Sequence, residues 1–194
     1  MPQRKTLYAA FDESNHGRYP EIFTAAFSYD SESALVLPPL PLGQLLPKRR
    51  GHQSPLEGLT EEDYSFLILD KRIVGHYKII AGGKDRMFGD ICASLVQDRV
   101  GYQNRGEFLV DDICLYLDGE KSGAEKKYVR ECTTKISNLS SSKIHLVDGR
   151  YLDQRCKLVN LADAIAYYIY TKIKDKKPIS SEVLLNKKPL LKIK

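Results

Sequence analysis

No run of roughly 20 apolar residues, the length a membrane-spanning helix needs, occurs anywhere in the 194 residues. The longest apolar stretch, Ala34 to Pro47, is broken by Pro38, Pro39 and Pro41, and each proline removes a backbone donor and interrupts a helix. Near the N-terminus only Leu7 to Phe11 separates Arg4 and Lys5 from Asp12 and Glu13, too short for the apolar region of a secretion signal. The expected location is the cytoplasm, with no membrane partner. Cysteine and histidine are few and scattered. Cys92, Cys114, Cys132 and Cys156 never form Cys-x-x-Cys, and His16, His52, His76 and His145 stand singly, which argues against a zinc site or a disulfide framework. Isolated cysteines inside apolar patterns read instead as small core hydrophobes. Missing too are the Gly-x-Ser-x-Gly of a hydrolase elbow and the Gly-x-x-x-x-Gly-Lys-Ser/Thr of a nucleotide loop. Gly82-Gly83-Lys84 lacks the latter spacing and reads as a turn before a helix, with Lys84 as a candidate phosphate contact.

What is present is an ordinary globular composition, 42% hydrophobic and 28% charged, of a length that suits one domain. The formal net charge of +5 is unevenly spread. Residues 172–194 carry eight lysines against Asp175 and Glu182, a net +6, so residues 1–171 sum to −1. A nearly neutral body, residues 1–174, is therefore followed by a basic tail, 175–194, which reads either as a solvated end or as a sequence-independent contact to phosphates. Residues 30–59 hold five of the nine prolines and show no periodicity. They read as a proline-rich insertion, either an exposed linker or, through Lys48, Arg49 and Arg50, a second candidate contact to nucleic acid.

Along the body, Thr6–Phe11 and Glu21–Tyr29 read as strands, the first apolar on both faces and hence central. Ser65–Leu69 and Ile73–Ala81 are rich in β-formers and suit a hairpin, although Thr60 followed by Asp63 suits the start of a short helix. Phe88, Ile91, Cys92 and Leu95 recur at helical spacing and predict a helix from Asp85 to about Asp98. Ile113–Leu117 is a second strand apolar on both faces. Ser122-x-x-Glu125 is a capping box opening a helix with Val129, Cys132, Ile136 and Leu139 on one face. Lys143–Val147 is a short strand, and Leu158, Leu161, Ala162, Ile165 and Ile169 stripe a last helix running to about Lys174. Strands first and α/β alternation later predict an α/β domain with a mixed central sheet covered by helices on both faces. The two doubly apolar strands are expected to lie side by side, parallel and central.

Three carboxylates stand out against this pattern. Asp12 ends the first buried strand, Asp118 ends Ile113–Leu117, and Asp163 lies on the last helix about 120° from the centre of its stripe, an edge position that can reach the end of a sheet. Beside it, Ala162 and Ala166 are small enough to let the helix approach closely. An ionised carboxylate at a buried strand end is costly unless paired or bound to a cation, and carboxylates without a histidine or cysteine set suit hard cations such as Mg²⁺ or Mn²⁺. Two such ions about 3.5–4 Å apart serve phosphodiester cleavage. Periodicity alone equally allows Asp163 to face solvent or to pair with Lys157 or Lys174. Asp90 lies nearly opposite the apolar stripe of its helix and is expected to face water. Tyr167, Tyr168 and Tyr170 suit packing or, alternatively, base stacking.

The stretches Ala10-Phe11-Asp12-Glu13-Ser14 and Val159-Asn160-Leu161-Ala162-Asp163-Ala164-Ile165-Ala166-Tyr167 resemble the two end motifs of the domain of unknown function 3800 family. Its pattern is a hydrophobic strand ending in Asp-Glu-Ser-Gly and, near the C-terminus, Gln-Leu-Ala-Asp before an apolar helix. Asn15 stands here for the usual Gly, Asn160 for the Gln, and Gly149 for a Ser after the acid Asp148. The resemblance touches both ends of residues 6–171 and leaves the middle uncovered. It implies a ribonuclease-H-like fold with Asp12 and Asp163 as metal-binding acids, Asp118 joining them by position, and Glu13 and Asp148 as further candidates. The function it implies is a divalent-metal-dependent nuclease or related phosphoryl-transfer enzyme acting on nucleic acid, with Asp12, Asp118 and Asp163 catalytic. The alternative is a non-catalytic nucleic-acid-binding or scaffold protein that keeps the fold.

Overall fold

The structure, a computed structural model, describes residues 3–14, 21–38, 54–60, 62–69, 75, 77–79, 81–103 and 108–174. Five strands form one sheet: β1 (Gln3–Ser14), β2 (Glu21–Ser28), β3 (Tyr64–Leu69), β4 (Phe108–Asp118) and β5 (Ile144–Gly149). Their order is β3-β2-β1-β4-β5. β1 pairs with β2 antiparallel and with β4 parallel, β3 is antiparallel to β2, and β5 is parallel to β4. The two strands that are apolar on both faces are thus neighbours, parallel and flanked on both sides. The physical cause is that only interior strands of a covered sheet can bury both side-chain sets.

Helices α1 (Gly83–Gln103) and α2 (Gly123–Ser137) lie on one face, and α3 (Lys157–Lys174) lies on the other. Leu7, Ala9 and Phe11 of β1 join Ile113, Leu115 and Leu117 of β4 in the core beneath α1 and α2. Ala10 of β1 and Tyr116 of β4 face the opposite way, into the core beneath α3. This alternation is the period-2 register of a strand made visible on both sides. None of the described helices is long and apolar enough to cross a membrane.

Ser122 caps α2 as its spacing predicts: its side chain accepts from the Glu125 backbone N–H at 3.0 Å, and the Glu125 carboxylate accepts from the Ser122 N–H at 2.8 Å. α2 ends at Asn138, whose left-handed φ of 56° lets the chain turn out of the helix. Three expectations need correction. The segment Ile73–Ala81 is not a strand where it is described: Tyr77 and Lys78 are helical and Ile79 and Ala81 lie in turns. Thr60 and Asp63 do not start a helix; the Asp63 carboxylate accepts from the Thr60 N–H and hydroxyl, closing a turn that feeds β3. Finally, the first part of the 30–59 insertion is no exposed linker. Ala34 is buried beneath α3, the Leu37 N–H donates to the Arg155 carbonyl, and the Leu158 N–H donates to Ser33, so these residues cover the start of α3. Residues 39–53, with Lys48, Arg49 and Arg50, and the tail 175–194 lie outside the described residues.

Candidate metal centre

The β1–β4 register runs to Phe11 opposite Leu117, so Asp12 and Asp118 are the next residues of two adjacent parallel strands. Phe11 and Leu117 point to α1 and α2; by alternation both acids project toward the α3 side. They sit at the carboxyl ends of the strands, the edge at which open α/β sheets bind ligands.

Asp163 arrives from the facing helix. Ala162 and Ala166 are both fully buried, and Ala162 packs in the same cluster as Ala10 and Ala26. Alanine against alanine brings α3 close to the sheet. Thr24, the cross-strand partner of Asp12, then fastens it: its buried hydroxyl donates to the Ala162 carbonyl at 2.9 Å and lies 3.5 Å from the Asp12 carbonyl. Asp163, one residue on, is half-buried rather than solvent-facing.

The electrostatics register this assembly. Burial, then the charges of Asp163 and Asp118, push the Asp12 carboxyl up to about 8. Asp118 is also raised, first by burial and then by Asp153, against the lowering effect of hydrogen bonds from the backbone at Asp153, Gly119 and Leu152. The bond from the Leu152 N–H measures 3.0 Å. Asp12, with Asp163 and Asp118 both in electrostatic reach of it, presents only oxygen donors, the donor type that suits Mg²⁺ or Mn²⁺. Among the described residues no three histidine, cysteine or carboxylate side chains close on a single point tightly enough to ligate one ion.

Glu13 shares this end of the sheet from the other face. With Asp12, Asp118, Lys121 and Phe88 it lines a cavity of about 280 Å³, where the Lys121 ammonium sits 4.8 Å from the centre of the Phe88 ring. Asp148 is placed differently. It pairs in register with Leu117 and so points away from Asp12; its carboxylate accepts from the Lys121 N–H at 2.9 Å and from the Lys126 ammonium at 3.2 Å. Those partners hold it below the usual carboxylate range despite some burial. Lys84 is exposed in the first turn of α1.

Asp90 does not face water. Tyr77 donates to its carboxylate, and the Cys132 thiol of α2 donates to it at 3.3 Å, because α2 covers the side of α1 that its own periodicity leaves polar. Periodicity also missed Asp153. It is 5% exposed and charge-coupled to Asp118, in the short 3₁₀ turn Leu152–Gln154 whose backbone Asn160 braces by donating to the Asp153 carbonyl at 2.9 Å. No spacing announces it, since a single turn has no hydrophobic period.

Two crystal structures of Bst-RNase HIII are similar to this chain. One is a mutant protein, with 13% sequence identity over 87% of this chain and 53% of that one, and the other is a complex with Mn²⁺, with 12% identity over 89% and 54%; both have a TM-score of 0.52. The chain thus spans about half the length of these two proteins. RNase HII from Archaeoglobus fulgidus, in its complex with PCNA, gives a TM-score of 0.49 at 15% identity over 88% of this chain and 77% of its own. No protein-family model and no curated protein matches the chain, so the link to the domain of unknown function 3800 family stays a resemblance of the end motifs. The fold is ribonuclease-H-like.

Proposed function

We propose that the chain is a divalent-metal-dependent nuclease, or a closely related phosphoryl-transfer enzyme, that cleaves phosphodiester bonds with Asp12, Asp118 and Asp163 as its metal-holding and catalytic acids. The observation that carries this reading is the juxtaposition of Asp12 and Asp118 at the ends of two adjacent buried strands with Asp163 supplied by the facing helix. Burial at that position, with the added repulsion of Asp163 and Asp118, pushes Asp12 up to about 8. An arrangement that costs stability in the bare protein is what a cation would relieve. The shared fold with an RNase HIII whose crystal structure contains Mn²⁺ supports the choice of ion.

Asp12, Asp118 and Asp163 would hold Mg²⁺ or Mn²⁺, and such ions, when bound, supply an activated water and neutralise the departing oxygen. The chain's own residues do the rest. The Leu152 N–H donates to one oxygen of Asp118 at 3.0 Å and so orients that carboxylate, and Thr24 holds α3, hence Asp163, at its distance from the sheet. Glu13 lies on the opposite side of the strand end as a further oxygen donor. Lys121 lines the same cavity and is placed to meet a substrate phosphate.

The test is a melting series with Mn²⁺ or Mg²⁺, paired with cleavage of labelled single-stranded, duplex and hybrid oligonucleotides. Millimolar metal should raise the melting temperature, by about 2.7 kcal/mol of stability at a hundredfold excess over Kd, and should switch on cleavage. Asp12→Asn and Asp163→Asn should abolish both effects while remaining folded. Parent protein with no metal shift and no cleavage, yet binding nucleic acid, would make the chain a non-catalytic binder instead.

A further inference from the structure

A second cleft, of about 800 Å³, lies between α2 and the edge strand β5, on the face away from α3. Four cations line it, Lys126, Lys127, Arg130 and Lys135, against Glu131 and Asp148. Two of the cations are committed: Lys126 to Asp148 at 3.2 Å and Lys127 to Glu131 at 3.9 Å. Arg130 and Lys135 are exposed and have no carboxylate partner among the described residues. Thr134, also in the wall, has a buried hydroxyl with no hydrogen-bond partner there.

We propose that this cleft binds the phosphodiester backbone of a nucleic-acid strand, a binding site that extends the proposed nuclease reading and rests on it for the identity of the polyanion. Three observations favour that ligand over another acidic molecule. Lys126, Arg130 and Thr134 follow one another at i, i+4 and i+8 along one side of α2, a rise of about 6 Å per step, comparable to the separation of successive phosphates along a strand. The cleft also joins the catalytic end of the sheet directly. Asp148 takes the Lys126 ammonium on the cleft side and the Lys121 N–H on the other, and Lys121 lines the cavity shared with Asp12 and Asp118. A strand crossing the acids therefore has a cationic path along α2. Finally, cations with a hydroxyl suit phosphate oxygens, whereas Leu146 is the single large apolar side chain in the wall, too little to form the apolar pocket that peptide recognition uses.

The experiment is fluorescence-anisotropy binding of a labelled oligonucleotide to the full chain in EDTA across a salt series, so that metal plays no part. Parent protein is compared with Arg130→Ala/Lys135→Ala, with Thr134→Val, and with Lys157→Ala/Lys174→Ala on α3 as the matched loss of two charges. The cleft pair should lower the slope of log K against log salt by roughly 1.4–1.8, at about 0.7–0.9 per phosphate contact. The α3 pair should leave it unchanged, and Thr134→Val should weaken binding severalfold at the parental slope. An unchanged slope in the cleft pair, an equal fall in the α3 pair, or loss of binding to polyglutamate but not to the oligonucleotide overturns the proposal. The Mn²⁺ melting shift of the cleft variants, expected at the parental value, separates this outcome from failure of the metal-site reading.

Discussion

The Thr24 hydroxyl donates to the carbonyl of Ala162 across 138 residues of chain, at 2.9 Å and fully buried. That bond joins the strand beside Asp12 to the helix turn before Asp163, so the geometry of the acids depends on a side chain that carries no charge.

Thr24→Val keeps the shape and removes the donor. It should cost about 1 kcal/mol of stability, rising toward 3 if the freed carbonyl finds no substitute. It should also weaken Mn²⁺ binding severalfold, because α3 is no longer held in register with β2. Thr24→Ser should restore most of both. Urea titration with and without Mn²⁺ reads the two effects, and a Thr24→Val protein with parental Mn²⁺ affinity would detach Thr24 from the site.

The raised Asp12 carboxyl gives the metal-free protein a definite pH dependence. Its folded value of about 8 lies above its ordinary 3.8, so between those limits the unfolded chain has lost a proton that the folded chain keeps. Stability from this group is complete below pH 4, falls as pH rises, and is exhausted above about pH 8. Asp12→Asn should flatten that limb of a chelator-treated stability profile and make the protein at least as stable as the parent at pH 8. Metal binding should release protons across the same window, which calorimetry in buffers of different ionisation enthalpy measures.

Asp153 is expected to act through its neighbour. Its charge is the second cause, after burial, of the raised Asp118 carboxyl, so Asp153→Asn should lower Asp118 and let Mn²⁺ binding persist to more acidic pH. Complete loss of Mn²⁺ binding in a folded Asp153→Asn protein would instead make Asp153 a ligand.

Gly89 lets α1 approach the backbone of α2 closely. A β-carbon there would meet the Tyr128 carbonyl carbon at 2.8 Å and its oxygen at 3.0 Å, and backbone cannot step aside as a side-chain tip can. Although alanine has the higher helix propensity, Gly89→Ala should therefore destabilise by about 1–3 kcal/mol. The separation of the helices should expose Cys132, now donating to Asp90, to thiol reagents, and the rate of its labelling measures the opening.

Much of the framework follows from local pattern. Period-2 alternation with both faces apolar marks β1 and β4 as interior strands, and the Ser122–Glu125 capping box sets the start of α2. The stripe from Leu158 to Ile169 outlines α3, because each of these signals is written within a few turns of chain. The acids Asp12 and Asp118 were legible for the same reason: an ionisable group directly after a doubly buried strand is expensive and therefore conspicuous. Asp163 was legible only as an edge position, and its neighbours Ala162 and Ala166 showed that something approaches there without showing what.

Tertiary structure decided the remainder. The register that sets Phe11 beside Leu117 is a contact over 106 positions of sequence, and nothing local encodes which strand pairs with which. Asp148 carries the same strand-end signature as Asp118, yet it projects to the other face and is taken by Lys126, since one step along a strand reverses the side chain. Asp90 became an interhelical group only because α2 docks on it. Asp153 sits in a single turn, which has no period, and only the docking of α2 beside β5 makes the cations of α2 the lining of a cleft. The local pattern therefore marks most of the strands and helices and the acids that stand at the ends of buried strands. Packing determines which of those acids meet, because charge coupling depends on separation in space and only the assembled sheet and its helices set that separation.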